Sequence, residues 1–137
     1  MFAAVKKIML LLNVVAMLVV LAGCQQVSDA RAEFCDNLRG VGTQAAEFKA
    51  AKIDQPADQV RSQVASLQQK QKNLQRLARL TNNPTLDKIN SAIDNVVQVV
   101  GEVAGSTLGP VAEKISAAGD RLEQTYTELN NAVCVAK

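Results

Sequence analysis

The sequence predicts an all-α fold: an antiparallel up-down-up-down four-helix bundle. Three observations predict it. Apolar residues recur at steps of three and four along four successive segments, the spacing that lines one face of a helix. Strand-like alternation of apolar and polar residues extends over no useful length. Short breaks carrying Pro, Gly and Asn separate the segments, and short connections make consecutive helices antiparallel neighbours.

The first helix carries Phe34, Leu38, Val41, Ala45 and Phe48. Ser28 or Asp29 is placed to cap it by accepting backbone N–H bonds. Gly40 and Gly42 lie inside it and allow close helix contact or a local kink. The second helix carries Ala57, Val60, Val64, Leu67, Leu74 and Leu77, with Gln71 on one stripe position. Either Gln71 fixes register through a buried hydrogen bond, or it turns to solvent. Asp54 and Pro56 mark the start, because proline fits an early helical position that needs no internal N–H bond. Asn82-Asn83-Pro84 ends this helix. The third carries Leu86, Ile89, Ile93, Val96, Val100 and Val103. Its valines are poor intrinsic helix formers, so spacing rather than propensity assigns it. Gly101 and Gly105 weaken its end, and Pro110 opens the fourth helix. That helix carries Val111, Ile115, Ala118, Leu122, Tyr126, Leu129 and Val133.

A three-helix alternative fuses the last two segments. It would put Cys35, in the opening turns of the first helix, and Cys134, in the final turn of the last, at opposite ends. Four antiparallel helices put them at the same end.

Ahead of the bundle, Lys6 and Lys7 precede an apolar run of 15 residues, Ile8 to Ala22, broken by Asn13. At ~1.5 Å per residue the run is short for a hydrocarbon core ~30 Å thick. A positive head, an apolar middle and small residues at the exit describe an export signal. The run closes on Leu21-Ala22-Gly23-Cys24. These four residues resemble the lipobox of bacterial lipoprotein precursors: an aliphatic residue, two small residues and a cysteine. The resemblance implies cleavage after Gly23, making 1–23 a lipoprotein signal peptide, with a diacylglyceryl group on the Cys24 sulfur. It implies a chain tethered to membrane lipid in the bacterial cell envelope, outside the cytoplasm. Residues 24–30 are then a lipidated tether and 31–137 the bundle domain. Gln25, where some lipoproteins have Asp, implies the outer membrane in bacteria with two. The alternative is an uncleaved anchor with a coincidental cysteine.

Removal of 1–23 leaves 114 of the 137 residues, enough for one domain. The chain has 15 basic and 13 acidic side chains; Lys6 and Lys7 leave with the signal, so 13 stand against 13. That balance gives no argument for a nucleic-acid partner. With Cys24 assigned to lipid, Cys35 and Cys134 form a single pair in an oxidising setting, which predicts a disulfide. Two unrelated buried thiols are the alternative. In the chain-entropy model a bond closing such a long loop adds ~4.7 kcal/mol. The core needs such help, because Phe34, Phe48 and Tyr126 are its only aromatic residues after cleavage.

The chain has no histidine, which removes the usual general base and the commonest transition-metal ligand. No metal or cofactor is expected. The acidic pairs Asp87 with Asp94 and Asp120 with Glu123 lie at helical surface spacing and read as a solvated face. One cluster is distinctive: Lys70, Lys72, Arg76 and Arg79 follow one another with no acid between them. Its plain reading is a solvated face suited to the negative end of a helix dipole. Its sharper reading is a membrane-surface cluster, because the topology puts the end of the second helix beside the lipid tether. The expected function is that of a non-enzymatic, membrane-anchored lipoprotein with a structural or protein-interaction role and an envelope protein as partner. Ile53 and Leu108, in the turns away from the tether, are the first expected contacts. The alternative is a carrier of a small apolar ligand, with room between the helices at Ala45, Ala118 and Gly119.

Overall fold

The computed structural model describes residues 29–78 and 84–135. The expected signal peptide 1–23, Cys24, Gln25 and Ser28 lie outside the described residues, as do Arg79, Asn82 and Asn83. Four helices pack together around one core. Helix α1 covers 29–49, α2 Ala57–Leu77, α3 Thr85–Gly101 and α4 Val111–Val133. Among the described residues the only strand-like pairing is an isolated bridge between Pro56 and Thr107. The break at 102–110 separates α3 from α4, so the fused three-helix alternative does not hold.

The apolar stripes form the core as their spacing requires. All of the stripe residues named above are buried except Val111 and Tyr126, which are half-buried. In α3 the helical state prevails over valine propensity. Leu86, Ile89, Ile93, Val96 and Val100 all enter the core, and each large side chain gains ~1.5–3 kcal/mol there. The propensity loss is a few tenths of that per valine.

Pro56, Pro84 and Pro110 occupy the N-cap positions of α2, α3 and α4, and none of the three helices has a side-chain cap bond there. Proline suits these places because its fixed φ leads into the helix and its missing N–H is not needed. Asp54 therefore stays in the loop. The first N–H of α2, on Ala57, donates instead to the carbonyl of Ser106 at 2.9 Å. At the other start, Asp29 is already helical and lies inside α1 rather than ahead of it.

Two loops are joined by their backbones. Besides the Ala57 bond, Leu108 N–H donates to Gln55 O at 3.1 Å and Gly109 N–H to Ile53 O at 3.0 Å. Gly109 has φ 55°, a left-handed conformation that costs a glycine little. The joined loops turn Leu108 inward, where it is 2% exposed. This corrects the expectation that Leu108 is a surface contact. It is a plug in the core, and only Ile53, 68% exposed, faces solvent.

The small residues bring helices together. A Cβ on Gly119 would lie 2.5 Å from the Lys49 backbone nitrogen and 2.8 Å from the Phe48 carbonyl carbon. One on Gly42 would lie 2.5 Å from the Tyr126 ring, and one on Gly40 2.5 Å from Lys70 Cε.

Candidate functional site

Two regions hold the side chains that the sequence singles out. The first gathers the start of α1 and the ends of α2 and α4. Cys35 and Cys134 stand at disulfide distance, with Cα atoms 5.7 Å apart across 99 residues of chain. One turn earlier in α1, Arg31 Nη2 donates to the carbonyl of Val133 at 2.6 Å. A cation there also suits the negative end of α4.

The basic cluster is divided. Lys70 is half-buried, its Nζ 2.9 Å from Ser66 Oγ and its aliphatic arm laid over Gly40. Arg76 Nη2 reaches Glu33 Oε1 of α1 at 2.8 Å. Lys72 is exposed, and Arg79 lies outside the described residues. The acid that the local sequence lacks thus arrives from another helix. Both members of the Arg76–Glu33 pair are more than half exposed, so the pair adds little to stability. It does offset one of the cluster's charges.

Polar contacts join the other helices. Asn73 Nδ2 donates to Asn37 Oδ1 at 3.2 Å, and Gln71 Nε2 to Asp94 Oδ1 at 3.1 Å. Gln71 is thus half-buried and engaged at the α2–α3 seam. Asp120 and Glu123 hold Lys49 Nζ at 3.3 and 3.6 Å. The Asp120 hydrogen bond, then the charge of Glu123, raise the Lys49 pKa above its usual value. These acids therefore act as an ion-pair site for α1. Among the described residues, no group of three His, Cys, Asp or Glu side chains is placed to hold a metal ion.

The second region is the joined loops. Beside them an open groove of about 770 Å³ runs between the end of α1 and the first turns of α4. Ala51, Ile53, Ala112 and Ala117 supply its apolar lining, and Lys52 and Glu113 line it with opposite charges. Ser116 Oγ donates to Lys49 O at 2.6 Å beneath it.

Local spacing could not reveal Leu108 as core, because it lies in a turn. It could not reveal Glu33 as the partner of Arg76 either. Gly119 carried a partial signal, as a small residue directly after the stripe residue Ala118. On sequence alone that signal reads as room for a ligand, but backbone fills the space at Gly119. Ala45 and Ala118 are likewise buried.

No family model, curated protein or solved structure matches the chain. Among the described residues no helix is long and apolar enough to cross a membrane.

Proposed function

We propose that the chain is a non-enzymatic lipoprotein of the bacterial cell envelope. Residues 1–23 export it, acylated Cys24 tethers it to the membrane, and the helical domain has a structural or protein-interaction role. The observation that carries this reading is Leu21-Ala22-Gly23-Cys24 at the exit of an apolar run headed by Lys6 and Lys7. The helical domain fits it. Its first described helical residue is Asp29, five positions beyond Cys24, so the tether is short.

The reading includes an antiparallel up-down-up-down arrangement. Its support is the order of contacts. Along α1, Glu33, Asn37 and Glu47 meet Arg76, Asn73 and Gln63, so numbers rise on one helix as they fall on the next. Lys88 and Glu102 of the α3 segment likewise meet Glu128 and Lys114. In this arrangement Lys72 and Arg76 face the membrane, and the joined loops stand at the far end, about 30 Å away for a helix of some 20 residues.

Metabolic labelling with an alkyne fatty acid tests the anchor. The wild-type chain should take up label and partition into detergent, whereas Cys24→Ser should remain an unlabelled precursor or an unlabelled soluble form. A Cys24→Ser chain that matures and partitions normally would exclude Cys24 as the anchor.

A further inference from the structure

We infer that the groove beside the joined loops is a self-association surface, and that its occupant is a second copy of this chain. The proposal does not depend on the lipid anchor.

Ile53 is the most exposed large apolar side chain among the described residues, at 68%. It is also held in place. Its carbonyl accepts the Gly109 N–H at 3.0 Å, and the neighbouring loop residues are tied by the Gln55–Leu108 and Ala57–Ser106 bonds. With its backbone fixed, Ile53 has less conformational freedom left to lose on binding than a residue of an untied loop. Beside it lies an alanine floor formed by Ala51, Ala112 and Ala117. Small side chains there leave a hollow of the kind that a branched aliphatic side chain fills.

The charges decide the occupant. Lys52 and Glu113 line the same groove, and among the described residues neither has an ion-pair partner. The other two charged residues of the lining, Lys49 and Asp120, already pair with each other. The surface therefore offers one unpaired positive and one unpaired negative charge around an apolar centre. A strongly acidic or strongly basic partner gains nothing from such a balance. A second copy related by a twofold axis gains twice, because in an isologous contact residue i meets j and j meets i. Lys52 lies three residues beyond the end of α1 and Glu113 in the first turn of α4, so both stand beside the joined loops. The axis then places Lys52 of each copy against Glu113 of the other, with Ile53 of each over the other's alanines.

The test uses the full chain purified in detergent and followed by sedimentation velocity from ~1 μM to ~1 mM. This range spans the dissociation constants of weak, transient associations. A monomer–dimer equilibrium is expected, weakened at least tenfold by Ile53→Asp. Lys52→Glu and Glu113→Lys should each weaken it about tenfold, and the double exchange should restore it to within about threefold of wild type. All three positions are exposed, and unchanged helical circular dichroism verifies that each variant folds. A monomer throughout the range overturns the proposal. So does a dimer indifferent to Ile53→Asp, or a double exchange as weak as the single ones. A photo-crosslinking residue at position 53 supplies the in-cell arm. A product of twice the chain's mass supports the second copy, and a product with a different protein overturns it.

Discussion

Gly119 of α4 meets the backbone of Lys49 in α1 so closely that a Cβ would come within 2.5 Å of the amide nitrogen. Backbone cannot rotate away as a flexible side chain can. Gly119→Ala should therefore force α1 and α4 apart, and overpacking of this kind costs about 1–3 kcal/mol. The ~1 kcal/mol gained by replacing a helical glycine with alanine offsets only part of it. Gly101→Ala is the control, because nothing lies within 4 Å of its Cβ position. It should be neutral or stabilising by up to ~1 kcal/mol. Thermal melts of the two variants check this, and equal shifts would deny that the α1–α4 approach is tight.

The Cys35–Cys134 pair closes a long loop, so it acts mainly on the unfolded chain. Reduction, or Cys35→Ser with Cys134→Ser, should lower stability by about 2–5 kcal/mol. Helical circular dichroism should persist at low temperature. Thiol labelling of denatured, unreduced protein gives the direct measure. Quantitative labelling at both positions would show that the chain carries no such bond.

Leu108 and Ile53 separate core from surface within one pair of joined loops. Leu108→Ala should cost about 2–5 kcal/mol, as buried leucines do. Ile53→Ala should stay within about 0.5 kcal/mol for the monomer, because exposed sites away from special features usually do. Urea titration at low protein concentration measures both. A harmless Leu108→Ala would mean that the loop does not seal the core.

The divided basic cluster makes a membrane prediction with an order in it. Glu33 offsets Arg76, whereas Lys72 is exposed and has no ion pair among the described residues. If this end faces anionic lipid, Lys72→Gln should weaken vesicle binding of the unlipidated domain by ~1 kcal/mol. Arg76→Gln should weaken it less, and Lys52→Gln least. Salt should weaken it throughout. Vesicle co-sedimentation at two ionic strengths reads the order, and equal effects at all three positions would remove any directed orientation.

Helix positions and core faces were legible in the sequence because they depend on local periodicity. Phe34, Leu38 and Val41, or Ile89, Ile93 and Val96, each report burial through neighbours one turn away. The prolines reported three helix starts for the same reason, since a missing N–H and a fixed φ act on the residues beside them. The proximity of Cys35 and Cys134 was legible because four helices joined by short turns bring the two chain ends together, once the lipobox resemblance sets Cys24 aside.

Tertiary structure alone decided what depends on groups distant along the chain. Leu108 lies in a turn with no period around it, and only the backbone bonds to the 53–57 segment turn it into the core. Arg76 finds Glu33 across 43 residues. Gly119 reads locally as space, yet α1 fills it. The physical reason is common to all three. A side chain's periodic surroundings set which way it faces, but the element packed against that face sets what it meets.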